Sequence, residues 1–167
     1  MLATAERQLS PTRFHNSVHN APAGYWGIAT GATAAANSLC AHDASFAAGL
    51  LEALCQVAVE RTRVLLIAYD TSYPEPMRSV RPIPDAFGVA LLLGPAAGTG
   101  ALVHLELSWS EAMADRMADP ALERLRAAIP AARSLPLLAQ LAHATAGRVL
   151  IDYLEGTRVA LEVSACP

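Results

Sequence analysis

The feature that most constrains the fold is one long, almost uncharged segment in the first half of the chain. Residues 44–61 read ASFAAGLLEALCQVAVER, and charge occurs there only at Glu52, Glu60 and Arg61. Alanine is the best helix former, and a helix that is apolar on nearly every side must be covered on most of its faces. The segment therefore predicts a buried central helix. Asp43 stands directly before it and is expected to be its N-cap.

Short apolar runs around this helix predict strands. Residues 64–69 and 87–93 are continuous and rich in branched side chains, which is typical of fully buried strands of the parallel kind. Residues 34–41 predict a short buried strand before the helix. Residues 101–109 alternate between apolar and polar side chains, as a half-exposed antiparallel strand does. The order of helices and strands predicts an α/β fold, which we expect to form a single domain over residues 1–167.

Capping residues, prolines and glycines predict the remaining elements. A short helix over residues 20–30 is bounded by Asn20 and by Gly31, which suit a helix N-cap and a left-handed stop. Elsewhere the sequence predicts helices over residues 1–8, 120–128 and 135–144, a proline-rich irregular loop over residues 70–85, and a β-hairpin around Glu155-Gly156.

Composition excludes several classes of protein. Apolar residues make up 53% of the chain and charged residues 16%, which excludes a disordered chain. All 12 basic residues are arginine and the net charge is −3, so we expect no nucleic-acid binding. The uncharged stretch over residues 86–103 is interrupted by glycine and proline. It therefore predicts two buried strands around a loop and not a membrane span.

The cysteines indicate a reducing location. Cys40, Cys55 and Cys166 are odd in number and have no CxxC spacing. We therefore expect no disulfide framework and no zinc site, and the cytoplasm is the expected location. Cys55 shares a helical face with Leu51 and Val59 and is expected in the core.

An ordered set of motifs between residues 9 and 95 resembles the N-terminal half of a β-ketoacyl synthase, a thiolase-like family. The segment Asn20-Ala21-Pro22-Ala23-Gly24 resembles the family's Asn-x-x-Ala-Gly helix, and Gly31 resembles the glycine that closes it. VLLIAYD and PDAFGVALLLGP resemble two later strands of that half. SVHNAPAGYW and YPEP resemble small synthase-like proteins of aryl polyene pathways, which hold only the N-terminal half and are similar to chain-length factors.

The resemblance implies a thiolase-like half with a mixed, mainly parallel sheet around a buried central helix. A C-terminal helical segment and a β-hairpin would follow it. The family's first strand–helix–strand unit would be lacking, because Met1 falls inside what resembles the family's second helix. Counting forward without a gap places the family's cysteine nucleophile on Asp43. A carboxylate cannot replace a thiolate in accepting an acyl chain, so we expect no catalytic residue. We also expect no cofactor-binding and no metal-binding residue.

The function that the resemblance implies is a non-catalytic, chain-length-factor-like subunit in polyketide- or fatty-acid-type biosynthesis, such as that of aryl polyenes. Its expected partner is a full-length ketosynthase, bound as a heterodimer through residues 36–40, with an acyl carrier protein as a further partner. Two alternatives stay open. One is an acyltransferase or hydrolase that uses Cys40 with His42 or His19, and the other is a truncated, non-functional remnant.

Other candidate residues each have a structural interpretation as well. His15 and His19 have a zinc-compatible spacing but no HExxH motif, so we expect hydrogen-bonded loop histidines. Cysteine is usually a small core residue, and we expect this of Cys40.

Residues of a carrier-protein or acyl site are also considered. Tyr25 and Trp26 could line an acyl tunnel, although packing is the commoner role of such residues. Arg78 and Arg81 could contact a phosphopantetheine phosphate, although solvated loop arginines are expected. Three glycines do not form a phosphate loop, because no GK[ST] sequence follows them; they are Gly94, Gly98 and Gly100.

Overall fold

The computed structural model describes residues 10–96, 100–143 and 145–166. These residues form two compact units, one ending at Cys40 and the other beginning at Ala41. The helix expected over residues 1–8 and the glycine at position 98 lie outside the described residues.

The described residues of the first unit form two short helices. Helix α1 spans Pro11–His15 and helix α2 spans Ala21–Thr30, which confirms the helix predicted over residues 20–30. Gly31 follows α2 with a φ of +67°, a left-handed conformation that ends a helix at little cost in glycine. Asn20 stands at the N-cap position, but its side chain makes no capping hydrogen bond.

The buried strand expected over residues 34–41 is wrong. The segment has no strand, and residues 31–40 are all exposed. A strand needs a partner for its backbone N–H and C=O groups, and no strand in the described part of the chain pairs with this segment. Its short apolar sequence therefore could not decide its structure alone.

The second unit begins with a short 3₁₀ turn, His42–Ala44, and helix α3, Ser45–Glu60. Its remaining elements are β1 (Val64–Asp70), α4 (Met77–Val80), β2 (Phe87–Leu93), β3 (Val103–Ser110), α5 (Pro120–Ala128), a second 3₁₀ turn (Ala131–Ser134), α6 (Leu135–His143), β4 (Gly147–Leu154) and β5 (Thr157–Ala165). The bounds confirm the later helices and the strand predicted over residues 101–109, and the antiparallel pairing of β3 and β4 with β5 confirms the half-exposed antiparallel strand and the terminal hairpin. The loop predicted over residues 70–85 contains the single turn α4.

The strands form two antiparallel sheets. Strand β1 pairs with β2, and β3, β5 and β4 form a second sheet in that order. The mainly parallel sheet is therefore wrong for the described strands. Parallel neighbours need a crossover connection, usually a helix, whereas the segment between β1 and β2 contains only the single turn α4, and these two strands pair antiparallel. On the second sheet the ring of Trp109 stacks on that of Tyr153 at 5.6 Å.

The core lies between α3 and one face of the sheets. Phe46, Leu50, Ala53 and Val57 recur at helical spacing and are buried along one stripe of α3. They pack with inward-facing side chains of the second sheet, which are Val149, Ile151, Val159, Leu161 and Val163. The central helix therefore lies where the sequence placed it.

Strands β1 and β2 are not fully buried. Their side chains alternate between covered and exposed positions, and Leu65 and Leu92, which face each other across the pair, are both exposed. The expectation of fully buried strands was wrong because the described residues cover only one face of this sheet.

The outer face of α3 is also open. Cys55 is exposed, and Val59 is 81% exposed. The expectations of a helix buried on most faces and of a core Cys55 are therefore both wrong. Apolar composition cannot show how many faces are covered.

Within the described part of the chain, no helix combines the length and the apolar character that crossing a bilayer requires.

Candidate functional site

Asp43 lies in the 3₁₀ turn that leads into α3, and the turn is fixed by its neighbours. The hydroxyl of Ser45 accepts a hydrogen bond from the N–H of Ala41 at 2.9 Å and donates to the carbonyl of His42 at 2.7 Å. His42 has a φ of +52°, a conformation that is uncommon outside glycine. The side chain of Asp43 therefore projects from a tightly held backbone.

The expectation that Asp43 caps α3 is wrong. The N-cap residue of α3 is Ala44, and no side chain makes a capping hydrogen bond there. The carboxylate of Asp43 instead accepts a hydrogen bond from Nη2 of Arg81, and its Oδ2 lies 3.1 Å from Nη2 of Arg133. Both oxygens of the carboxylate thus lie against guanidinium groups that come from distant parts of the sequence, Arg81 and Arg133.

These contacts belong to a larger ion-pair cluster. Asp152 links three arginines. Its Oδ2 lies 3.2 Å from Arg133 Nη1 and 3.3 Å from Arg126 Nη1, and its Oδ1 lies 3.1 Å from Arg158 Nε. Arg126 also forms two hydrogen bonds of 2.8 Å with the carboxylate of Glu123. We call this set the arginine–carboxylate cluster; its members are Asp43, Arg81, Glu123, Arg126, Arg133, Asp152 and Arg158.

Two carboxyl groups in this region have shifted pKa values. The hydrogen bonds from Arg126, followed by the backbone N–H of Met117, lower the pKa of Glu123 to about 2. Burial raises the pKa of Asp70, and this effect outweighs the hydrogen bond from the N–H of Ala131 and the charge of Arg81. Glu123 is thus held as an anion, whereas burial favours the neutral form of Asp70.

The chemistry available to Asp43 follows from these contacts. Both carboxylate oxygens face cations, which stabilise the anion and make it a weak nucleophile. The cluster connects the turn before α3 to the loop at Arg81, the second 3₁₀ turn at Arg133 and strand β4 at Asp152. The arginine–carboxylate cluster therefore holds these segments together.

Sequence reasoning found only part of this cluster. It singled out Asp43 but assigned it a capping role, and it placed Arg81 in solvent, which is wrong because Arg81 is paired. It missed Arg133 and Asp152. The available signal was the scarcity of charge, since only 16% of the residues are charged and charged side chains are rarely buried without a partner.

Cys40 and His19 come together in the first unit. The Sγ of Cys40 lies 3.9 Å from Nδ1 of His19, and both residues are exposed. The expectation of a core Cys40 is therefore wrong. The other suggested partner, His42, lies in the second unit, where its Nδ1 is 3.7 Å from Asp43 Oδ1.

The remaining candidates are placed as follows. The ring of His15 packs edge-on against that of Tyr25 at 6.2 Å, and the Tyr25 hydroxyl donates to Asn16 Oδ1 at 2.6 Å. Trp26 is about half exposed, and Arg78 is exposed on α4. Among the described residues, no group of three or more His, Cys, Asp or Glu side chains is arranged to hold a metal ion.

A shallow, open groove of about 310 Å³ lies elsewhere on the second unit. Its wall includes Asp115, Gln140, His143 and Arg148. None of the residues that the sequence singled out lines this groove, so it supports none of the sites considered above.

Helix α3 packs on β1, the strand that follows it, and Asp43 lies in the turn before the helix. A family model described as β-ketoacyl synthase, N-terminal domain, matches residues 2–151. The chain belongs to this family.

One solved structure is similar in fold. It is a ketosynthase, ApeO, in complex with its chain length factor, ApeC, from Xenorhabdus doucetiae, with 24% sequence identity and a TM-score of 0.63. The match covers 93% of this chain and 58% of the matched chain. This chain therefore spans little more than half of that relative. No curated protein matches the sequence.

Proposed function

We propose that this chain is a non-catalytic, chain-length-factor-like partner of a full-length ketosynthase. The observation that carries the proposal is the environment of Asp43, which stands where the gapless count places the family's nucleophile. Its carboxylate is engaged by Arg81 and Arg133. An acyl-accepting site needs a free thiolate at that position, and a carboxylate paired with two arginines does not supply one.

The segment before Asp43 supports a heterodimer. Residues 31–40 are exposed, and no strand in the described part of the chain pairs with them. Unpaired backbone groups can receive a strand from another protein. We propose that residues 36–40 pair with the ketosynthase.

Open apolar surfaces support a protein partner as well. The uncovered face of β1 and β2 carries Leu65, Ile67 and Leu92, and all three are exposed. Contiguous apolar surface of this kind is typical of an interface or of an aggregation hazard. We therefore expect the chain to be poorly behaved alone and to be stabilised by its partner.

The pathway and the location belong to the same proposal. A ketosynthase and its chain-length factor extend acyl chains held on an acyl carrier protein, so such a carrier protein is a further proposed partner. Aryl polyene-type biosynthesis is the pathway that the fold likeness to the ApeO–ApeC complex supports best. Cys40, Cys55 and Cys166 are free thiols, which suits the proposed cytoplasmic location.

Co-expression with the ketosynthase from the same gene neighbourhood tests the proposal. We expect a higher soluble yield and a 1:1 complex on size-exclusion chromatography. Ser38→Pro should reduce the complex strongly because proline lacks the N–H that strand pairing requires. Thr33→Pro is the matched control, since Thr33 lies in the same exposed segment but outside residues 36–40.

One outcome would contradict the proposed partner role, and another would contradict only the proposed interface at residues 36–40. One is a chain that runs alone as a sharp monomer, melts cooperatively and does not bind the ketosynthase. The other is equal complex formation by the two proline variants, which would place the interface elsewhere.

A second candidate function, acyl transfer or hydrolysis, is favoured by the 3.9 Å distance between Cys40 and His19. Incubation with an acyl-pantetheine thioester distinguishes the two functions. Covalent acylation of Cys40 that turns over would favour the enzyme, and an unmodified chain would favour the partner subunit.

A further inference from the structure

The Cys40–His19 pair offers a chemistry that the proposed subunit role does not use. The Sγ of Cys40 lies 3.9 Å from Nδ1 of His19, and the thiol is exposed. When the ring proton is on Nε2, Nδ1 can accept the thiol hydrogen. A nucleophile beside a base is the minimal arrangement for thiol chemistry.

The fold of the first unit holds this pair in place. His19 lies in the turn before α2, and that turn is anchored by the 2.6 Å hydrogen bond from Tyr25 to Asn16. After the left-handed Gly31 the chain passes close to α2, since a Cβ on Gly27 would lie 3.4 Å from the carbonyl oxygen of Ala32. The segment then ends at Cys40 beside His19.

We propose that, in the chain that is not bound to a ketosynthase through residues 36–40, Cys40 is a thiol–disulfide exchange site for low-molecular-weight disulfides of the glutathione type. The thiol proton of Cys40 passes to His19, and the sulfur attacks one sulfur of the disulfide RSSR. A bond forms between Cys40 and SR, the original S–S bond breaks, and the leaving thiolate takes the proton as RSH. Cys40 is oxidised to a mixed disulfide and one sulfur of the reagent is reduced, so no other reactant is needed.

The exposure of the pair is what selects this chemistry. Thiol–disulfide exchange requires access to the thiol and a route for its proton, and its transition state needs no enclosed site. Acyl transfer also requires donors that stabilise an oxyanion. Neither Cys40 nor His19 lines the groove of about 310 Å³, so the groove does not enclose this pair.

The chain contains a matched control for this proposal. Cys55 is also exposed, but it lies on the outer face of α3 beside Leu51 and Val59. Among the described residues, no side chain hydrogen-bonds to its sulfur. His15 is a matched control for His19, since it is an exposed histidine of the same unit.

The experiment follows mixed-disulfide formation with oxidised glutathione on the full chain by intact mass and peptide mapping. Cys40 should react about tenfold faster than Cys55 because it has a neighbouring base. His19→Gln should slow Cys40 about tenfold and leave Cys55 unchanged, whereas His15→Gln should leave both rates unchanged.

The rate at Cys55 and the far-ultraviolet circular dichroism spectrum show whether each variant is folded. Equal rates at Cys40 and Cys55 in the unmodified chain would overturn the proposal. So would a folded His19→Gln variant in which Cys40 reacts at the original rate. These readouts do not involve a ketosynthase, so failure here is distinct from failure of the proposed function.

Discussion

The carboxylate of Asp43 pairs with Arg81 and Arg133, so its removal takes one negative charge away from beside two arginines. We expect Asp43→Cys to lower the free energy of unfolding by about 1–2 kcal/mol, less than for a fully buried pair because the side chain is 32% exposed. The variant should also show no condensing activity, since a thiol alone does not complete the site. Thermal melts and an acyl-carrier-protein condensation assay measure the two effects.

Glu60→Gln is the control for this substitution. Glu60 is exposed at the end of α3, so the loss of its charge should change stability little. If Asp43→Cys melts no lower than Glu60→Gln, the arginine–carboxylate cluster does not stabilise the fold.

Glu123 predicts how stability depends on pH. Its pKa falls from 4.5 to about 2 because the folded chain, through Arg126, favours the anion. The contribution is complete above the ordinary pKa of about 4.5, and it is lost as the pH falls toward 2. We therefore expect the stability difference between the original chain and Glu123→Gln to shrink between pH 5 and pH 3 in urea titrations.

The comparison with Glu123→Gln removes the effect of Asp70. The pKa of Asp70 is raised by burial, so acid pH favours its folded form and acts in the opposite sense. Both proteins carry Asp70, and its contribution cancels. A difference that is constant over this range would contradict the role given to Glu123.

Residue-scale reasoning from the sequence identified the right positions more often than the right contacts. Asp43, Arg81, Cys40 and His19 were all singled out, yet the partners of Asp43 were missed. Helix capping is a local property and can be read from neighbouring residues. The pairing of Asp43 with Arg133 depends on how distant segments pack, and no local pattern contains that information.

At the scale of elements, helix α3 offers a matched pair of substitutions. Val57 is 7% exposed and Val59 is 81% exposed on the same helix. Val57→Ala should cost about 2 kcal/mol through lost burial and an unfilled cavity, and Val59→Ala should change stability by less than about 0.5 kcal/mol. Chemical denaturation of the two variants measures both values.

The opposite result would change the picture of this helix. If both substitutions cost the same amount, α3 is covered on its outer face in solution, as its composition suggested. If only Val57→Ala is costly, the outer face is free to meet another protein.

The type and bounds of the helices and strands were predicted better than how these elements pair and pack. Prolines, glycines and alternation gave α2, α5, α6 and the β4–β5 hairpin because these signals act within a few residues. The direction and burial of β1 and β2 were wrong. A continuous apolar run suits either a parallel or an antiparallel strand, and it does not reveal which face another layer covers.

At the scale of the whole molecule, the family could be predicted from the sequence. The order of the Asn20–Gly24 motif, the small-residue helix and the two strands is what the match over residues 2–151 supports. Function is less determined, since one fold serves many activities. The proposed partner subunit therefore depends on the chemistry at Asp43 as well as on the family.

The stacking of Trp109 on Tyr153 has an optical consequence. The chain has two tryptophans, and one lies in each compact unit, Trp26 in the first and Trp109 in the second. In the Trp26→Phe variant the remaining tryptophan is Trp109, which reports on the second unit through energy transfer from Tyr153, 5.6 Å away. In the Trp109→Phe variant the remaining tryptophan is Trp26, which reports on α2.

The single domain expected over residues 1–167 can thus be tested with light. If it is correct, the two single-tryptophan variants will show the same denaturation midpoint as the far-ultraviolet circular dichroism signal, because a two-state transition looks the same to every probe. Separate midpoints would mean that the chain contains two folding units, each with its own shift of the tryptophan emission maximum.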